Sequence, residues 1–202
     1  DRPRVARGER HRGQDRDRHE QATHAADCRH ALSDVSIVPG SERPLYALAA
    51  LVASDSAHAE PALAKFHSLF QQEALVIDKW FALQASSCDR GGNILPKVRQ
   101  LMLHPDFNLK NPNRARSLIF SYCSANPAAF HRLDAAGYVF WAEQVLALDA
   151  MNPQVAARLA RALDRWKKLS APYQSAARHA IERVAAKPDL SKDVREVVSR
   201  AL

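Results

Sequence analysis

The chain has 202 residues, 47% of them hydrophobic, and a formal net charge of +7, which allows one domain or two small ones around a packed core. Only six glycines stand among abundant alanine and leucine, favouring helices over sheet. No run of roughly eighteen apolar residues is present to span a membrane, and no signal-peptide stretch follows the Arg- and Asp-rich start.

Three cysteines, Cys28, Cys88 and Cys123, are odd in number and form no Cys-x-x-Cys pair. That argues against a disulfide framework or a zinc-thiolate site, and for a reducing cytoplasm. Charge is unevenly spread. Residues 1–40 carry eight Arg against seven acids, residues 41–157 ten bases against ten acids, and residues 158–202 eleven bases against five acids. The positive excess therefore lies at the C-terminal end and suggests an anionic surface or partner nearby.

Residues 1–40 read as disordered or out of frame. The first thirty hold eight Arg, no Lys and four histidines (His11, His19, His24, His30), with almost no large apolar side chain to offset the entropy of folding. Their mix of Arg, Asp, His, Gly and Ala resembles a GC-rich gene read in the wrong frame, which sequencing the locus would test. His19-Glu20-Gln21-Ala22-Thr23-His24 imitates a zincin motif. Its second histidine is at i+5, about 140° round a helix from the first rather than stacked above it, so metal binding is not expected.

From residue 41 the texture becomes helical. Ser41-Glu42-Arg43-Pro44 opens a helix to about Ser54 with Leu45, Leu48 and Leu51 or Val52 on one stripe. A second starts near Glu60-Pro61 with Leu63, Phe66, Leu69 and Phe70 at buried-face spacing. The third, from Ala74, carries Leu75, Ile77, Trp80, Phe81 and Leu83. After Gly91-Gly92, Asn93 is expected to cap a fourth, through Met102, with Pro96 in its first turn.

Three Asn-Pro pairs follow, at Asn111, Asn126 and Asn152. Asn can accept a bond from an early helical N–H, and Pro suits the first helical position, so each pair predicts a helix start. The first and third lie 41 residues apart, near the roughly 40–47-residue period of two-helix solenoids. An apolar helix over Gly137 to Leu148, one from Asn152 to about Leu169, one capped by Ser170 and a last one capped by Ser191 complete the chain. The expectation is an all-α fold, a paired-helix superhelical solenoid of HEAT or armadillo type, over residues 41–202.

Chemistry is sparse. No nucleophile motif or Gly-rich phosphate loop is present, and Cys123 lies in an apolar helix as a small hydrophobe. His67, His131 and His179 are scattered and read as surface or satisfied core residues. No catalytic and no metal-ligating residue is assigned. One row stands out: Arg158, Arg161, Arg165 and Lys168 follow i, i+3, i+7, i+10 beside the apolar stripe Val155, Leu159, Ala162 and Trp166. It reads plainly as a solvated face, and more sharply as cations offered to carboxylates of a substrate or another domain. No aromatics interleave with it for nucleic acid.

Several separated motifs then become familiar: Val76-Ile77-Asp78-Lys79-Trp80-Phe81, Asn111-Pro112-Asn113-Arg114-Ala115-Arg116-Ser117-Leu118, Asn126-Pro127-Ala128-Ala129-Phe130-His131, Gly137-Tyr138-Val139-Phe140 and Asn152-Pro153-Gln154-Val155-Ala156. In this order they resemble the C-terminal helical domain of the bacterial aminopeptidase N family, zinc metallopeptidases of the gluzincin type, over about Leu45 to Leu202. The resemblance implies a bowl of paired helices that caps a catalytic domain and encloses a cavity, with the zinc ligands and catalytic glutamate in an earlier domain. This chain has no His-Glu-x-x-His and no Gly-Ala-Met-Glu-Asn, so it resembles the cap without a cofactor of its own. By motif, Arg116 and Arg158 are the candidates for the cavity arginines that attract a peptide's carboxylate end.

Two readings result. One is a non-catalytic capping domain of a zinc-dependent aminopeptidase that removes N-terminal residues from peptides, partnered by its upstream catalytic domain, with no nucleic acid or membrane involved. The alternative is a free-standing helical-repeat module that binds an acidic partner through the basic face.

Overall fold

A computed structural model describes residues 43–202; the expectations for residues 1–40, His19, His24 and Cys28 among them, lie outside these. Among the described residues there is no strand, and no helix is long and apolar enough to cross a membrane. The chain falls into two compact units, divided between Gln72 and Glu73.

In the first unit, α1 (Arg43–Ala53) and α2 (Ala59–Phe70) pack on one another. Leu48 and Leu51 of α1 and Leu63, Phe66 and Phe70 of α2 are buried as the spacing predicts. Leu69, placed on the buried stripe by its sequence position, is exposed. Leu69 lies about 120° round the helix from Leu63, at the edge of the apolar stripe, whereas Phe66 and Phe70 lie within about 60° of it.

The second unit begins with α3 (Ala74–Ala85) and α4 (Ile94–Leu101), which pack together. Next come α5 (Pro112–Ala115), a π-helical segment (Arg116–Phe120) and α6 (Ser121–Ala125), continuous along the chain. The sequence offers no hint of the widened turn. Its cause is local: the Ser117 hydroxyl reaches back to the Arg114 carbonyl at 3.0 Å, and the Ser121 N–H bonds five residues back to Arg116. A hydroxyl inserted into the ladder is a recognised origin of such bulges. The π-helical segment and α6 lie against α3, whose Ile77, Trp80 and Phe81 are buried while Leu75, expected inside, is exposed.

After the one-turn α7 (Pro127–Phe130) comes α8 (Ala136–Asp149), the centre of this unit. Nine of its fourteen residues are buried, including Tyr138, Phe140, Trp141, Val145 and Leu148. A helix apolar on nearly every side is covered on nearly every side. Helices α9 (Pro153–Ala160) and α10 (Ala171–Ala185) both pack on it, and α11 (Lys192–Ala201) closes over α9 and α10. The expected all-α, paired-helix architecture is what the chain adopts.

The Asn152 helix does not run unbroken to Leu169. After Ala160 it tightens into 3₁₀ turns at Arg161–Leu163 and Trp166–Lys168. Leu163 and Trp166 are both buried, and a spacing of three eclipses side chains in a 3₁₀ turn but not in an α-helix. The Trp166 indole N–H then donates to the Ala201 carbonyl at 3.0 Å, fixing the tighter winding against α11.

Candidate functional site

The corners of the second unit are built by the asparagines. Asn111 Oδ1 accepts from the Asn113 N–H at 3.0 Å, Asn126 Oδ1 from Ala129 at 3.3 Å and Asn152 Oδ1 from Val155 at 3.2 Å, each followed by Pro. Asn126 does more: buried, it also donates through Nδ2 to the carbonyls of Ala85 at 3.0 Å and Ser87 at 2.7 Å, binding the end of α3 to the α6–α7 corner. Ser191 caps α11 through Val194 at 3.3 Å. Two expected caps differ. Asn93 lies in helical conformation and accepts from Arg90, while Asp89 Oδ1 takes the Ile94 N–H at 3.1 Å. Ser170 makes no side-chain cap; the Gln174 amide instead holds the carbonyls of Lys167 and Leu169.

The motif arginines separate into two roles. Arg114 is buried; its Nη1 donates to Asp78 Oδ1 at 2.6 Å and to the Ala74 carbonyl at 3.2 Å, and its Nε to the Asp106 carbonyl at 2.9 Å. Its guanidinium stands 5.3 Å from the centre of the Phe81 ring. Ser117 approaches the same Asp78 oxygen at 3.4 Å. Sequence reasoning missed this pair, although a single acid in the apolar stretch Val76 to Phe81 was the available signal.

Arg116 is exposed, held to its own turn by bonds to the Pro112 carbonyl at 3.2 Å and Asn113 Oδ1 at 2.6 Å. Arg158 is exposed on α9, as are Arg161, Arg165 and Lys168 beyond it. Arg116 and Arg158 thus stand on separate elements, and no bond links them.

A second cluster surrounds the start of α8. Tyr122, Phe130, Tyr138 and Phe140 stack edge to face at 5.3 to 6.0 Å, and the Tyr122 hydroxyl donates to the Ala129 carbonyl at 3.0 Å. Gly137 sits so close to the Phe130 carbonyl that any Cβ would collide with it. His131 Nδ1 meets the Tyr138 hydroxyl at 2.9 Å. Burial pushes the Tyr138 phenol up to about 12 and drives the half-buried His131 below its ordinary range, so the pair is neutral at pH 7.

That depression has a stability consequence. The unfolded chain takes up the His131 proton near pH 6.5, before the folded chain does, so stability is full above that pH and falls as pH drops through it. Melting temperatures from pH 8 to 5 should show a loss that is smaller in His131→Gln; an identical profile would remove His131 as its source. Cys123 is buried and its thiol is pushed up by desolvation, which makes it inert; Cys88 is exposed. His179 is exposed on α10.

Capped corners, a buried ion pair that rivets neighbouring helices and an aromatic centre define a helical-repeat scaffold. A family model described as a domain of unknown function (DUF3458_C), ARM repeats, matches residues 41–202. The chain is 42% identical over 152 residues to aminopeptidase N of Caulobacter vibrioides, covering 75% of this chain and 17% of that protein. It is 44% identical over 140 residues to aminopeptidase N of Haemophilus influenzae (69% and 16%) and 41% over 158 residues to that of Escherichia coli (78% and 18%). The crystal structure of Legionella pneumophila aminopeptidase A in complex with aspartic acid superposes with a TM-score of 0.79 at 26% identity, over 88% of this chain and 20% of that one. The chain belongs to the DUF3458_C family of ARM repeats, the C-terminal helical domain of aminopeptidase N. It spans 16 to 18% of the length of these aminopeptidase relatives.

Proposed function

We propose that this chain acts as the non-catalytic helical domain of a zinc-dependent aminopeptidase, a metallopeptidase that removes N-terminal residues from peptides. The observation that carries the reading is 41 to 44% identity to three aminopeptidases N, over 140 to 158 residues of this chain. Zinc chemistry would belong to the remainder of such an enzyme, since this sequence has no His-Glu-x-x-His for the metal. The chain's part is to pack against the catalytic domain and shape the peptide's surroundings. Purified chain is expected to release no product from an amino-acid arylamide, with or without added zinc. Turnover at an ordinary aminopeptidase rate would refute the reading.

Arg116 and Arg158 are the residues proposed to attract a peptide's carboxylate end. Both are exposed and leave donors open to a ligand, and a guanidinium fork matches a carboxylate bidentately. In the full-length enzyme, Arg116→Ala or Arg158→Ala should raise KM for longer peptides by roughly tenfold, the effect of about one charged hydrogen bond, with dipeptides and kcat little changed. Unchanged peptide kinetics would remove that role.

A further inference from the structure

We propose that the 3₁₀ stretch from Arg161 to Lys168 is a docking surface for an acidic segment of polypeptide. Arg161, Arg165, Lys167 and Lys168 are all exposed there, with Asp164 as the single carboxylate among them. Leu163 and Trp166 are buried on the opposite side, so the cations are turned outward by the same packing that tightens the helix. None of Arg161, Arg165 and Lys168 makes a side-chain hydrogen bond or ion pair among the described residues. Two exposed cations elsewhere in the unit do pair with acids, Arg178 with Glu182 at 2.8 Å and Arg99 with Glu143 at 3.0 Å. Lys167 reaches the carbonyl of Leu202 at 3.1 Å, beside the bond from Trp166 to Ala201.

Spacing favours an extended chain. At a rise of about 1.5 to 2.0 Å per residue, Arg161 and Arg165 are roughly 6 to 8 Å apart along the axis, and Arg165 and Lys168 roughly 5 to 6 Å. Alternate side chains of an extended strand repeat at about 6.8 Å. In 3₁₀ winding Arg165 and Lys168, three apart, stand in line. Alternate glutamates or aspartates of an acidic segment can therefore meet them in turn, the arginine bidentately, with Arg161 about 120° round as a flanking charge. Nucleic acid fits less well. A single-stranded binder offers aromatic faces for stacking, whereas the one aromatic of this stretch, Trp166, is buried with its N–H occupied.

The test is a titration of fluorescein-labelled octaglutamate with the purified chain, at about 50 and about 300 mM salt. Binding that weakens with salt is expected. The variant Arg161→Glu/Arg165→Glu/Lys168→Glu should lose at least roughly tenfold in affinity. A control with the same charge change elsewhere, Lys110→Glu/Arg183→Glu/Lys192→Glu, should stay within about threefold of the parent. Circular dichroism and melting curves identify any variant that has not folded, and single charge reversals then replace it. Absence of binding, or equal loss in both triple variants, would overturn the proposal, since net charge alone would explain the second result. Tighter binding of octathymidylate or of phosphatidylserine vesicles than of octaglutamate would overturn it as well. The experiment needs no catalytic domain, so its failure would leave the aminopeptidase reading standing.

Discussion

Arg114→Ala is expected to destabilise the second unit by about 3 kcal/mol, near the lower end of the range for breaking a buried ion pair. Removal of the guanidinium leaves Asp78 as an uncompensated carboxylate, its side chain only 16% exposed, and strips the bonds from the carbonyls of Ala74 and Asp106. These carbonyls belong to the start of α3 and to the connection before α5, so three stretches of chain loosen together. Asp78→Ala should cost about as much, because it strands the arginine instead. Replacing both should cost less than the sum of the singles, the mark of a coupled pair. Arg116→Ala is the natural comparison: two positions along, exposed, and expected to change stability by less than about 0.5 kcal/mol. Urea denaturation of the four variants would measure this. Equal losses for Arg114→Ala and Arg116→Ala would show that the ion pair is not a support of the fold.

The contrast between these two arginines shows what the sequence makes legible. Within Asn-Pro-Asn-Arg-Ala-Arg, the helix start can be read directly, because an Asn cap and a Pro at the first position act within one turn. The same holds at Asn126, Asn152 and Ser191, each of which makes its predicted cap. Which arginine turns inward depends on Asp78, 36 residues earlier, and no local pattern encodes that meeting. Asn93 fails as a cap for a different, local reason: Asp89, five residues before Ile94, competes for the N–H and takes it. Apolar residues mislead in a complementary way. Leu75 fits the stripe of α3 but stands at the first turn of the helix, where its own unit leaves it exposed. Periodicity gives the face of a helix but not how far along it the neighbouring helix extends. The π-helical segment was hidden because it turns on one side-chain bond, from the Ser117 hydroxyl to the Arg114 carbonyl. The 3₁₀ turns were hidden because tertiary bonds from Trp141 and Trp166 flank them.

Trp141→Ala should cost about 3 to 5 kcal/mol, the range for emptying a tryptophan site in a core. Trp141 has no exposed surface, and α8 packs on both α9 and α10 around it. Its indole N–H donates to the Leu159 carbonyl at 3.0 Å, in the last turn of α9, just before the ladder changes to bonds spanning three residues. The substitution therefore opens a cavity and removes a donor from a buried carbonyl. Trp141→Phe separates these effects: the ring keeps most of the apolar contact but cannot donate, so its cost should be about 1 to 2 kcal/mol. A further consequence concerns the basic stretch. With the Leu159 carbonyl released, α9 can extend as an ordinary α-helix past Ala160 and carry Arg161, Arg165 and Lys168 to new positions. Trp141→Phe should then weaken octaglutamate binding by several-fold while the chain remains folded. If Trp141→Ala cost less than about 1 kcal/mol, the indole would not be the centre of this packing. Full peptide affinity in a folded Trp141→Phe would show that the winding after Ala160 is held by Trp166 and α11 alone.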